Sequence, residues 1–275
     1  PSASRCSTRP WTAWRVWQPE AMRIAALQHD IVWEDAAATC DLLEPLIAAA
    51  ADDGARLVVL TEMFGPGFSL AADRIAEPPG GPTEQFLVAR AVEQSIWIGG
   101  SIPTRDPDAA HPESRDLLVG PDGSRHHYDK LHPFTFADEH EHYRPGHRPV
   151  TVEVDGLRVS LFVCYDLRFA NAFWDRAADT DVYLVVANWP ESRRHHWRTL
   201  LLARAIENQA YVVGVNRVGV ADGLTYSGDT VIVDPMGEVL AEGVDHAESV
   251  VVADVDPERV AEVRDAYRFL PDRRG

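Results

Sequence analysis

The chain has 275 residues, of which 45% are hydrophobic and 25% charged, and carries a formal net charge of −17. That is enough sequence for one large α/β domain, and too acidic a balance for a nucleic-acid or membrane-surface partner, since both surfaces are anionic. Its three cysteines, Cys6, Cys40 and Cys164, form no CxxC pair and no metal-ligand spacing, so they suit a reducing cytoplasm better than a disulfide framework; no apolar run reaches the roughly 18 to 20 residues that span a bilayer.

Residues 1–21 lack an initiator Met and carry three tryptophans without strand or helix periodicity. They also lack the continuous apolar stretch of a signal peptide, and read as a poorly ordered extension ahead of a single domain over residues 22–275. From Met22, strand-length apolar runs alternate with helical patterns. "RIAALQ" is followed by a helix over Asp35–Ala51, "RLVVLTE" by a helix over Thr83–Gln94, and then comes "IWIGGS", the alternation of βαβ units. Two hairpins follow, "RDLLVGPDGSRHHYDK" and "VTVEVDGLRVSLFVCYD", then a helix near Asn171–Ala178, the strand "DVYLVVAN", a helix over His195–Asn208 and the strand "AYVVGVNRVG". The hairpin "GDTVIVDPMGEVLAEG", the strand "SVVVADVD" and a helix over Pro257–Tyr267 close the pattern. The turns "PDG" and "PMG" are ordinary hairpin chemistry.

Three residues stand out. Of the 26 lysines and arginines only Lys130 is a lysine, which implies that a compact ammonium is needed where a planar guanidinium will not serve. Glu62 ends the buried run "ARLVVLTE", and ligands of open α/β sheets bind beyond the carboxyl ends of strands. Desolvation there would raise its pKa and suit a general base, although a solvated strand-end carboxylate is an equal alternative. Cys164 ends "VSLFVC" just before a helical segment, a strained corner where a helix N-terminus would favour the thiolate. Taken alone, a cysteine is more often core filling, as expected for Cys6 and Cys40. Glu139 and Glu141 are both placed to pair with Lys130. His140 and His142 lack a third ligand at a recognisable spacing, and the doublets His126-His127 and His195-His196 are no better, so no metal is expected.

In the contexts "TEMF", "YDKLHPF" and "CYDLRF", the three residues in this order resemble the nitrilase superfamily of carbon-nitrogen hydrolases. The segment "VANWPESRRHHWRTLLLARAIENQAYVVGVNRVG" is most similar to its omega-amidase branch, and the likeness runs from Met22 to about Phe269. The resemblance implies a four-layer αββα sandwich, α/β in class, paired as a homodimer; no cofactor is expected, and the cysteine usage puts the protein in the cytoplasm. The resemblance also implies a second glutamate before a PG turn, for which Glu139 fits better than Glu141. The sequence departs from the pattern at "RFANAF", where "RFPE" is commoner.

The implied chemistry is amide hydrolysis. Cys164 is the nucleophile, Glu62 the proton shuttle, Lys130 with the Tyr165 backbone N–H the oxyanion donor, and Glu139 the group that orients Lys130. The implied substrates are short 2-oxo dicarboxylate monoamides, 2-oxoglutaramate and 2-oxosuccinamate. Arg168, Arg193 and Arg194 are candidates for their carboxylate, with Asn188 and Trp189 shaping the wall. The alternative is an amidase for deaminated glutathione or another N-acyl or N-carbamoyl compound. A nitrile hydrolase, a papain-like dyad and a redox sensor fit the residues less well. The helix "WRTLLLARAIENQ" is apolar nearly all round and reads as core or subunit interface, with Arg204 and Glu207 pairing along it.

Overall fold

A computed structural model describes residues 21–274. All but Ala21 of the extension expected over residues 1–21 lies outside the described residues. The first half runs β1 (Met22–Gln28), α1 (Ala36–Asp52), β2 (Leu57–Val59), α2 (Ala72–Ile75), α3 (Pro82–Gln94), β3 (Trp97–Thr104), β4 (Glu113–Val119) and β5 (Arg125–Asp129). The second half runs β6 (Thr151–Val154), β7 (Leu157–Val163), α4 (Ala170–Trp174), β8 (Val182–Ala187), α5 (Arg194–Asn208), β9 (Tyr211–Asn216), β10 (Val218–Ala221), β11 (Leu224–Ser227), β12 (Val231–Val233), β13 (Val239–Glu242), β14 (Ser249–Val255) and α6 (Pro257–Ala266).

Two six-stranded sheets result, in the orders β14-β1-β2-β3-β4-β5 and β13-β12-β9-β8-β7-β6. Each is built around three parallel strands, β1-β2-β3 in one and β7-β8-β9 in the other, with antiparallel neighbours outside them. The two-residue period of a strand divides the first sheet's side chains between two cores. Ile24, Ala26, Leu57 and Val59 face the second sheet, while Ala25, Leu27, Val58 and Leu60 pack under Leu43 and Ile47 of α1 and Leu87 of α3. On the far side of the second sheet, Trp197, Leu201 and Ala205 of α5 and Val260 of α6 close the layering. The expected αββα sandwich is the fold observed.

The structure differs from the expectations at three elements. The helix expected over Asn171–Ala178 is only the five residues of α4, with single 3-10 turns at Cys164–Arg168 before it and Ala177–Asp179 after it. Helix α5 buries one face, Trp197, Leu201, Arg204, Ala205 and Asn208, and leaves Ile206 47% exposed, so it is not apolar all round; Arg204 does pair with Glu207, at 2.8 Å. The hairpin β10-β11 has no counterpart among the sequence-predicted elements. Its Asp222-Gly223 turn has positive φ at both residues, 46° and 74°, the primed geometry that matches strand twist.

Candidate active site

Three buried side chains, Glu62, Lys130 and Glu139, and the half-buried Cys164 meet where the two sheets' strands end. Glu62 lies three residues beyond β2, and its backbone is pinned by Ser101 of β3, whose Oγ accepts from Met63 N–H at 2.8 Å. Lys130 follows β5 and continues the ladder by donating its N–H to Ser114 O at 3.0 Å, while its own carbonyl accepts from Gly146 N–H at 2.8 Å. A Cβ on Gly146 would stand 2.0 Å from Asp129 O, so only glycine allows this approach. Glu139 opens the 3-10 turn Glu139–Glu141, and Cys164 follows β7 at φ 47°.

Positive φ in a non-glycine residue is strained and recurs at functional sites. Here it occurs at Cys164, at Met63 next to Glu62 (41°) and at Asp138 next to Glu139 (57°). The Cys164 corner is held by Asp166. That carboxylate accepts from Val163 N–H at 3.1 Å, His132 N–H at 3.0 Å and the Tyr128 hydroxyl at 2.7 Å, and also meets His132 Nδ1 at 2.7 Å.

The Lys130 ammonium donates to Glu62 Oε1 at 2.8 Å and to the two Glu139 oxygens at 2.9 and 3.0 Å. Glu62 and Glu139 are fully buried and Lys130 is 2% exposed. Burial alone would lower the lysine pKa, but Glu139 and then Glu62 outweigh it and hold the ammonium well above its ordinary range. Burial raises the Glu139 carboxyl, with Lys130 acting against it. The second Glu62 oxygen accepts from Asn188 N–H at 2.8 Å, and Asn188 Nδ2 donates to the Glu62 backbone carbonyl at 2.5 Å, so Asn188 holds both the carboxylate and its main chain.

At Cys164 one part of the sequence reading, a helix dipole favouring the thiolate, does not fit the structure. The Cys164 thiol is pushed well above its ordinary range, first by burial and then by the Glu62 carboxylate, with Lys130 pulling the other way. The helix dipole expected to favour the thiolate has little to act with, because the segment that follows is a single 3-10 turn and the five-residue α4. These surroundings favour the thiol over the thiolate.

Glu62, Lys130 and Cys164 line one cavity, together with Tyr165, Arg168, Asn188, Trp189 and Arg193. Glu139 stands behind Lys130 and outside the lining. The Arg168 guanidinium lies 4.7 Å from the Trp189 ring centre and 5.9 Å from that of Tyr165, and donates to His196 Nδ1 at 3.3 Å. Arg193 lies 5.3 Å from the Phe134 ring centre. Neither is ion-paired with a carboxylate among the described residues.

Arg194 is elsewhere. It is bound to Asp229 at 2.6 Å and Asp245 at 2.9 Å and takes no part in the lining. Arg193 ends a 3-10 turn and Arg194 begins α5, so consecutive residues diverge, and of the three candidate arginines Arg194 is the one the fold removes. The lining also includes Phe68, Phe134, Leu224 and Tyr226, which sequence reasoning missed. The last two stand on β11, and the Asp222-Gly223 turn was the available signal for them. Asn216, also missed, braces the wall: its Oδ1 accepts from Trp189 N–H at 2.7 Å and its Nδ2 donates to Trp189 O at 3.0 Å.

A fold of two such sheets between helices, with a thiol, a carboxylate and an ammonium around one cavity, defines a hydrolase of carbon-nitrogen bonds, and residues 23–265 match the carbon-nitrogen hydrolase family. The chain belongs to that family and is an enzyme acting on amides. It is 43% identical to the omega-amidase YafV of Yersinia enterocolitica over 90% of this chain and 93% of the relative. It is 34% identical to the 2-oxoglutaramate amidase of Bacillus subtilis over 80% and 85%. Among solved structures it superposes on XC1258 from Xanthomonas campestris, a CN-hydrolase superfamily protein with an arsenic adduct in its active site, with a TM-score of 0.88 and 36% identity over 93% and 98% of the two chains. No helix among the described residues is long and apolar enough to cross a membrane.

Proposed function

We propose that this enzyme is an omega-amidase, releasing ammonia from the terminal amide of short 2-oxo dicarboxylate monoamides such as 2-oxoglutaramate and 2-oxosuccinamate. The observation that carries the reading is a cavity with a Glu62-Lys130-Cys164 constellation and two arginines without carboxylate partners, Arg168 and Arg193, seated on aromatic faces. An amide places its reacting carbonyl beside Cys164, and a distal carboxylate gives those arginines an anion to bind. The similarity to the two amidases supports the same reading.

In this mechanism Glu62 takes the thiol proton as Cys164 Sγ bonds to the amide carbon. Lys130 Nζ and the Tyr165 backbone N–H donate to the oxygen that becomes negative, and one such donor contributes roughly 3 to 4 kcal/mol. Collapse breaks the C–N bond, Glu62 delivers its proton to the departing nitrogen, ammonia leaves and a thioester remains. Water then loses a proton to Glu62 and attacks the thioester; the C–S bond breaks and the sulfur regains the proton. Glu139 holds the ammonium in place throughout. Cytoplasmic residence and a homodimer belong to the same reading. The test compares ammonia release from 2-oxoglutaramate, deaminated glutathione, an N-carbamoyl amino acid and a simple nitrile. A kcat/KM for 2-oxoglutaramate below that for either of the next two would transfer the assignment to the other amidases of the family.

A further inference from the structure

Four buried carboxyl groups cluster at the cavity and behind it, and three have hydrogen-bond donors. Glu62 accepts from Lys130 and Asn188, Glu139 from Lys130 and Phe134 N–H, and Asp166 from Val163, His132 and Tyr128. The fourth, Asp116, has none among the described residues. It is 1% exposed, its Oδ1 is buried without a partner, and no cation pairs with it. Ser114 Oγ, two residues earlier on the same strand face, is likewise buried and unpartnered.

Its position is central. Asp116 of β4 lies directly opposite Ser101 of β3 and Tyr128 of β5, and directly opposed residues share a face. Ser101 pins the backbone next to Glu62, and Tyr128 holds the Asp166 that fixes the Cys164 corner. Asp116 therefore stands between the two braces of the site. The charged and titratable groups on its side are Glu62 from the segment after β2, Asp166 from the Cys164 turn, and Tyr128 and Lys130 from β5 and its end. Glu113 and Arg115 of its own strand fall on the opposite face.

A carboxylate removed from water, given no donor and placed near two other carboxylates keeps its proton. Burial comes first in raising Asp116 well above its ordinary range, with Glu62 and Asp166 adding to it. We propose that Asp116 is a neutral carboxylic acid in the working enzyme, a positioning residue that preserves the charge balance around Glu62 and Lys130. This rests on the function proposed above for that pair. Ionised, it would add an uncompensated negative charge near Glu62 and disfavour the oxyanion forming beside Lys130.

The test is Asp116→Asn, close in size and unable to ionise. Because the folded carboxyl binds its proton more tightly than the unfolded one, wild-type stability falls as pH rises from about 4 toward the folded pKa, and the variant escapes this loss. The Tm of the variant minus that of the wild type should therefore grow by roughly 5 °C or more between pH 5 and pH 9. The alkaline limb of kcat on 2-oxoglutaramate, normalised to each protein's own maximum, should move up by about one pH unit or more. A constant Tm difference, or coincident limbs, overturns the proposal. A wild-type measurement decides it even should the variant fail to fold: with aspartate side-chain carboxyls labelled with carbon-13, one resonance must keep its acid-form shift at pH 7, and its absence overturns the assignment. Should neither protein release ammonia from any amide, the proposed function falls, while the Tm and resonance measurements still decide the protonation of Asp116.

Discussion

In Lys130→Arg the charge is retained while its carrier changes from a compact ammonium to a planar fork that reaches one bond further. The native nitrogen sits 2.8 Å from Glu62 and 2.9 Å from Glu139, inside a shell that is 0 to 2% exposed. Nothing there can yield to solvent. Overpacking of this kind costs about 1 to 3 kcal/mol, a fall in Tm of roughly 2 to 12 °C for a chain of this size, so the variant remains folded at assay temperature. The catalytic effect is larger. The wider guanidinium places its N–H groups away from the ammonium's position and intrudes on the space of the carbonyl oxygen, and losing one such donor lowers kcat by about 10² to 10³. The assay is steady-state ammonia release from 2-oxoglutaramate well below the measured Tm. A folded variant with kcat within a few-fold of the wild type would refute the role given to Lys130 and the compositional argument that singled it out. Lys130→Met sharpens the comparison: it leaves two buried carboxylates without their cation, a loss of about 3 to 5 kcal/mol, and should lower Tm further than Lys130→Arg.

Cys164→Ala should abolish ammonia release without lowering Tm by more than a few degrees, and residual turnover above about a thousandth of wild type would exclude the thiol as nucleophile. Arg168→Gln and Arg193→Gln should each raise KM for 2-oxoglutaramate at least tenfold, about 1.4 kcal/mol, while a neutral amide of similar length is affected less; equal losses on both substrates would remove the arginines from carboxylate recognition. His29 is 2% exposed, meets Asp30 O at 2.8 Å and Thr61 Oγ1 at 3.1 Å, and burial brings its pKa down to about 4. It is neutral when folded while its unfolded counterpart is protonated below about pH 6.5, so its contribution is intact above pH 6.5 and is lost as pH falls toward 4. Denaturant titrations of His29→Gln should therefore show a pH dependence flatter by roughly 3 kcal/mol across that window, and parallel curves would show that His29 does not titrate there.

The parts of the site legible in the sequence are those fixed by strand ends. Glu62 and Cys164 follow strands that end in buried apolar runs, Leu57–Val59 and Leu161–Val163, so the polar residue beyond each run marks where the sheet stops and the cavity begins. Lys130 was visible for a different reason, as the one lysine among 26 cationic side chains. Glu139 could be chosen over Glu141 only through the family likeness, because both stand in one 3-10 turn, of which Glu139 alone is buried. Arg193 and Arg194 could not be separated, since their divergence depends on a turn becoming a helix between them. The short strand β11 hid Leu224 and Tyr226, having too few residues for its alternation to show.

Asp116 was hidden more deeply. In "ESRDLLV" it reads as one polar residue among several at the start of a strand, yet all seven residues of β4 are buried, because the sheet is covered on both faces. Local pattern assigns such a residue to solvent, and only the register opposite Ser101 and Tyr128 reveals a carboxyl in the interior. The same covering that keeps water from the Glu62-Lys130 pair removes any solvent that could stabilise Asp116 as an anion. A fold that encloses Glu62, Lys130 and Glu139 together thus imposes neutrality on Asp116 behind them.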